Sequence, residues 1–238
     1  MLDIPFLGPI TIAPGVHQLR ALGARVTVLQ APDGAVLVDT GSRGSLHVIA
    51  AGLKTLGVAP EQVRLIALTH CHPDHAGGLA ELVEFTSAPV AIHHTEADIV
   101  RGDEPAPSFL RRQALQNAHP LFAMFNSRPV AVRYPLEDGD VLPESGGVRV
   151  IHTPGHTEGS ICLYVESAKV LIVGDALQFR FGKLLAPSWL FTRDPELARA
   201  SLAKLLDVDF TTLCFRHFPP IQENARDMLA EFLHGSED

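Results

Sequence analysis

Runs rich in Val, Ile and Leu recur along the chain at residues 25–30, 35–39, 63–69, 148–152, 161–165 and 170–173. Such runs predict strands. Helical patterns separate some of them. Residues 44–56 predict a helix ending near Gly57. The triplet Asp194-Pro195-Glu196 predicts a helix start, because the aspartate can accept from free amides of the first turn and the proline there loses no bond. That helix is expected to run to about Leu206, and a last one over about 222–233. Strands both in hairpin-like succession and separated by helices predict a mixed α/β sheet protein. There is a faint internal echo: each half has a strand ending in an aspartate, Asp39 and then Asp175. The stretch 98–128 breaks the pattern. It carries Pro105, Pro107, Phe109, Phe122 and Phe125 without strand alternation, and it predicts a helical insertion that is either a packing unit or a lid.

Composition narrows the class. The 238 residues are 46% apolar and 19% charged, which suits one globular domain over 1–238. No apolar run approaches the roughly 18 residues that would span a bilayer, so no membrane partner is expected. The start of the chain has no basic segment leading into an apolar one, and a cytoplasmic location is the expectation. The net charge of −8 argues against a nucleic acid partner, since binding a polyanion needs a basic surface. Three cysteines, Cys71, Cys162 and Cys214, form no CxxC pair and fit a reducing compartment.

The chemistry concentrates in Thr69-His70-Cys71-His72-Pro73-Asp74-His75-Ala76-Gly77-Gly78. On extended chain His70 and His72 project to one side and Cys71 to the other. The two histidines can grip one cation together, while Asp74 and His75 follow where the chain turns into a helix. Imidazole and carboxylate donors suit zinc at about 2.0–2.2 Å, and also iron or manganese. So many such groups directly after a buried strand would be costly without a cation. Cys71, Cys162 and Cys214 read as core residues.

This segment resembles the HxHxDH signature of the metallo-β-lactamase superfamily, and further matches extend over most of the chain. Thr153-Pro154-Gly155-His156-Thr157 is similar to the family's third-histidine turn, Gly174-Asp175 to its bridging aspartate, and Phe215-Arg216-His217-Phe218-Pro219-Pro220 to its last-histidine segment, with both flanking glycines replaced. The resemblance implies an αβ/βα four-layer sandwich of two mixed β-sheets with outer helices. It implies two divalent metal ions, zinc first, with iron or manganese possible. His70, His72 and His156 would hold one; Asp74, His75 and His217 the other; Asp175 would bridge. Asp39, in Val38-Asp39-Thr40-Gly41, would orient a ligand imidazole.

The implied activity is hydrolysis by a hydroxide shared between the metals, with Asp74 placed to orient it and accept its proton. Phe179, Phe181 and Trp189, in the loop after Asp175, are the candidate substrate-pocket residues. Within the superfamily the compact glyoxalase II-like group fits best, acting on an ester, thioester or lactone of a small molecule. Only Phe218 to Asp238 follow the last histidine, too short for the helical glutathione-binding domain of glyoxalase II itself, and residues 176–181 lack the tyrosine of acyl-homoserine lactonases. Two alternatives stay open: a mononuclear iron enzyme similar to persulfide dioxygenases, and a non-catalytic metal-binding module. A homodimer is the prior for a soluble enzyme.

Overall fold

The computed structural model describes residues 8–105 and 127–235. Seven strands form the first sheet in sequential order: β1 (Ile10–Ala13), β2 (Val16–Arg20), β3 (Arg25–Ala31), β4 (Gly34–Val38), β5 (Val63–Ala67), β6 (Val90–His93) and β7 (Tyr134–Leu136). β1 to β4 pair antiparallel, and β4 to β7 run parallel. Helices α1 (Leu46–Thr55), α2 (Pro73–Ala76), α3 (Leu79–Thr86) and α4 (His94–Arg101) belong to this half.

The second sheet has the order β13 (Thr212–Cys214), β10 (Val170–Ile172), β9 (Ile161–Val165), β8 (Val148–His152). A separate hairpin joins β11 (Gln178–Arg180) to β12 (Lys183–Leu185), and helices α5 (Pro195–Ser201) and α6 (Ala225–His234) accompany this half.

The four layers follow from strand alternation. Along β4, Ala35 and Leu37 face a cluster shared with Ile49 and Leu53 of α1 and Leu79 and Leu82 of α3. Val36 and Val38 of the same strand face Val150, Leu163 and Ile172 of the other sheet. On that sheet Cys162, Leu171 and Leu213 turn outward to Leu202, Ala225 and Leu229. Each sheet is therefore buried on both faces, which is why its strands read as continuous apolar runs. Each buried Val, Leu or Ile side chain among these stabilises the fold by about 1.5–3 kcal/mol relative to exposure.

The expected αβ/βα sandwich is present. β8 and β9 have the predicted bounds, and the other four predicted strands differ by one or two residues at an end. Asp194 accepts from the Leu197 amide at 3.0 Å and caps α5, which continues as a 3-10 turn over Leu202–Asp207. Strand β2 escapes the apolar pattern because it buries Gln18, whose amide donates to the Phe215 carbonyl at 2.8 Å. Residues 98–101 of the expected insertion are the end of α4, and its body, 106–126, lies outside the described residues. Among the described residues no helix is long and apolar enough to cross a membrane.

Candidate metal centre

All seven predicted ligands lie on segments that follow strand ends at one edge of the two sheets. His70 and His72 lie beyond β5, and Asp74 and His75 sit on the single turn of α2, whose first residue is Pro73. His156 follows β8, Asp175 follows β10 and His217 follows β13. They gather as two groups, His70–His72–His156 and Asp74–His75–Asp175–His217, with the candidate ligand atoms of each group within 4.8 Å of one another. Asp175 joins the groups. Its Oδ1 lies 3.3 Å from both His75 Nε2 and His217 Nε2, and its Oδ2 lies 3.6 Å from His156 Nε2.

Hydrogen bonds behind the site decide which ring nitrogen faces inward. Thr69 Oγ1 donates to Asp39 Oδ2 at 2.9 Å, so its contact at 3.1 Å with His70 Nδ1 assigns the hydrogen there to the imidazole. His75 Nδ1 donates directly to Asp39 Oδ2 at 2.9 Å. Thr192 Oγ1 donates to the Ser188 carbonyl and accepts from His156 Nδ1 at 3.1 Å. In all three rings Nε2 thereby faces the centre, the nitrogen left to bind a metal. The buried Nε2 atoms of His70 and His75 have no hydrogen-bond partner among the described residues. Converging lone pairs and carboxylates of this kind fit divalent cations.

The charges differ between the groups. Burial lowers His70 and His156, and it takes His72 down to about 3, with the neighbouring His156 adding to the effect. In the other group burial would also lower the histidines, but the Asp175, Asp74 and Asp39 charges raise His75. Hydrogen bonds to Asp175 and Asp74 push His217 up to about 9. Burial acts against ionisation of Asp74 and Asp175, yet His75 and His217 hold both below the usual carboxylate range.

Three residues that local sequence patterns do not mark complete the support. Arg216 is fully buried. Its side chain turns away from the centre, Nε standing 2.8 Å from Asp39 Oδ2, while its terminal nitrogens donate to Thr27 Oγ1 and the Val38 carbonyl, both at 2.9 Å. The residue that replaces a family glycine beside His217 thus crowds nothing. Glu96, 2% exposed, accepts from the Cys71 amide at 2.7 Å and the Gly159 amide at 3.1 Å. It clamps the loop of His70 and His72 to the loop of His156. Thr192 is the third. Cys71 packs on the core of the first half, as expected.

An open cavity of about 490 Å³ leads to the candidate ligands His72, Asp74, His156, Asp175 and His217; its outer wall includes Gln178, Arg180, Ser188, Phe191 and Phe218. The predicted pocket residues are corrected by one position or two. Phe179 turns the other way and stacks on Phe215 with centroids 6.1 Å apart, Phe181 is 99% exposed at the hairpin tip, and Trp189 is not part of the cavity wall. The loop was the right one; the phase of its alternation was not.

Fold and donor set together define an α/β sandwich with a candidate metal-binding centre at one edge. The family model for the metallo-beta-lactamase superfamily matches residues 19–217, and the chain belongs to that superfamily of metal-dependent hydrolases. It is 32% identical over 240 residues to "Probable metallo-hydrolase YflN" of Bacillus subtilis, covering 92% of this chain and 90% of the relative. It is 30% identical over 178 residues to the acyl-coenzyme A thioesterase MBLAC2 of Homo sapiens, covering 65% of this chain and 58% of the relative. Among solved structures, a metallo-beta-lactamase family protein of Thermus thermophilus superposes with a TM-score of 0.71 at 28% identity, covering 94% of this chain and 79% of that one.

Proposed function

We propose that the chain is a binuclear metal-dependent hydrolase of a small-molecule ester, thioester or lactone. The observation that carries the reading is the division of Asp175, one oxygen towards each group of ligands. His70, His72 and His156 would hold one ion, Asp74, His75 and His217 the other. Bound divalent ions supply Lewis acidity and lower the pKa of coordinated water towards about 7. Asp74, on the cavity wall, would orient the coordinated water and accept its proton. Phe191, Phe218 and Pro73 give the cavity apolar wall, which suits a partly apolar acyl or alcohol portion. The thioester option draws on the likeness to an acyl-coenzyme A thioesterase.

The test is elemental analysis of the purified chain, followed by turnover of an ester, thioester and lactone panel before and after chelation and zinc addition. Two equivalents of metal, and activity that leaves and returns with them, are expected. One iron per chain with oxygen uptake on a persulfide would instead identify a dioxygenase. Full metal occupancy with no turnover of any panel member would leave a binding module.

A further inference from the structure

The β11–β12 hairpin controls what meets the cavity. Its two turn residues, Phe181 and Gly182, have φ of 52° and 76°, and positive φ at both positions matches the turn that suits the twist of a tight hairpin. Arg180 pairs with Lys183 across it. Strand alternation then places Gln178 and Arg180 on the cavity side and Phe179 against Phe215 beneath. The Arg180 guanidinium lies over the Phe218 ring, 5.1 Å from its centroid. Phe218 itself packs edge-on against both Phe215 and His217. One phenyl ring therefore separates this cation from a ligand imidazole.

Two observations bear on Arg180. It is the one Lys or Arg side chain among the described residues of the cavity wall. No carboxylate among the described residues pairs with it, in contrast to Arg101, Arg128, Arg193, Lys169 and Lys204 and in common with Arg133 and Arg149, which lie over Tyr134 and Tyr164. The acids nearest the floor, Asp74 and Asp175, are already engaged with His75 and His217. A guanidinium held on an aromatic face, beside the Gln178 amide and with no acid partner, offers a forked donor for a carboxylate or phosphate.

We propose that Arg180 and Gln178 form an oxyanion-binding subsite, and that the natural substrate carries a carboxylate or phosphate a short chain of atoms from the bond that is cut. The subsite rests on the reading of this cavity as a hydrolytic site.

The experiment uses the zinc-loaded full chain and three thioesters of matched length, ending in a methyl group, a carboxylate or a phosphate. The wild type is expected to favour at least one charged thioester in kcat/KM, and the preferred one identifies the anion. Arg180→Met is expected to cut the charged-over-neutral ratio by about 10–100-fold, the scale of one charge-assisted hydrogen bond, through KM rather than kcat. Arg180→Glu is expected to invert it. Equal zinc content in all variants excludes a collapsed site. Equal ratios in wild type and Arg180→Met would overturn the proposal. If no thioester is hydrolysed at all, the hydrolase reading fails, and the subsite is judged by binding alone. Titrating butyrate, butyl phosphate and butanol against Trp189 fluorescence should show tighter binding of an anion to wild type than to Arg180→Met. Equal binding to the two proteins would again overturn it.

Discussion

Arg216 Nε and Asp39 Oδ2 lie 2.8 Å apart with both side chains fully buried. This pair sets the orientation of the centre from behind. Asp39 takes a hydrogen from Thr69 and one from His75, and Thr69 takes one from His70. One carboxylate thereby orients a ligand in each group. Burial would push its pKa up, but the charges of Arg216 and His75 keep it below the usual range. Asp39 itself sits at φ 64°, a left-handed conformation that costs on the order of 1–3 kcal/mol and persists because the surroundings over-determine it.

Removing Arg216 should uncouple this arrangement. Arg216→Met leaves a buried carboxylate without its countercharge, a loss of about 3–5 kcal/mol, measurable by urea denaturation. The same change should weaken zinc at the His75 group by about 10–100-fold. Arg216→Lys keeps the charge but not both terminal contacts, and should fall between. Wild-type zinc affinity in Arg216→Met would show that Asp39 holds its position unaided.

The two groups should load differently with pH. His70, His72 and His156 are already neutral at pH 7 and accept an ion without losing a proton. His75 and His217 must each release one. Zinc binding at pH 7 should therefore release about two protons, measurable by calorimetry in buffers of different ionisation enthalpy. Between pH 6 and 7.5 the second equivalent should tighten by about tenfold or more while the first changes little. Parallel tightening of both would contradict the charge difference.

Metal-free protein should show the opposite trend in stability. A raised histidine contributes fully below its unfolded value of 6.5 and loses that contribution as pH rises through the folded value, about 9 for His217. The depressed Asp74 and Asp175 contribute above the unfolded 3.8 and lose it as pH falls through their lower folded values. The lowered His70, His72 and His156 act on the other side, favouring the unfolded chain as pH falls below 6.5. Urea resistance of the chelated chain should thus peak near about pH 6.5 and decline towards both 4 and 9. A maximum near pH 8 would count against it.

Glu96→Ala should strike the first group hardest. It orphans the Cys71 and Gly159 amides, at about 1–3 kcal/mol for each that stays buried and unpaired, and it frees the His72 loop from the His156 loop. Thermal unfolding and a zinc titration check this; the first equivalent should weaken more than the second.

Gly155→Ala tests the turn before His156. Gly155 has φ 126°, and an added Cβ would overlap the Ala198 backbone. The loop must part from α5, so His156 loses the bond to Thr192 that turns its ring. Loss of one zinc equivalent, or of soluble protein altogether, is expected. A fully loaded, normally stable variant would mean that the loop can move without cost.

The candidate ligand cluster was legible because metal binding forces unusual residues into short, dense strings, and the strands because both faces of each sheet are buried. What supports the ligands was not. Arg216 beside a histidine reads as bulk until the backbone shows that it points into the core. Glu96 is an ordinary acid on a helix, and its partners Cys71 and Gly159 lie 25 and 63 residues away. In the hairpin after Asp175 the aromatic residues stood out by type. The cavity, however, takes Gln178 and Arg180 because two-residue alternation, not residue type, decides which side faces inward.

The loops of β5 belong to one sheet, and those of β8, β10 and β13 to the other. Ions seated between them would rivet the two halves at the very edge where the interior opens. Prying the sheets apart there would mean expelling the ions, so starvation for metal would silence the chemistry and loosen the seam in the same event.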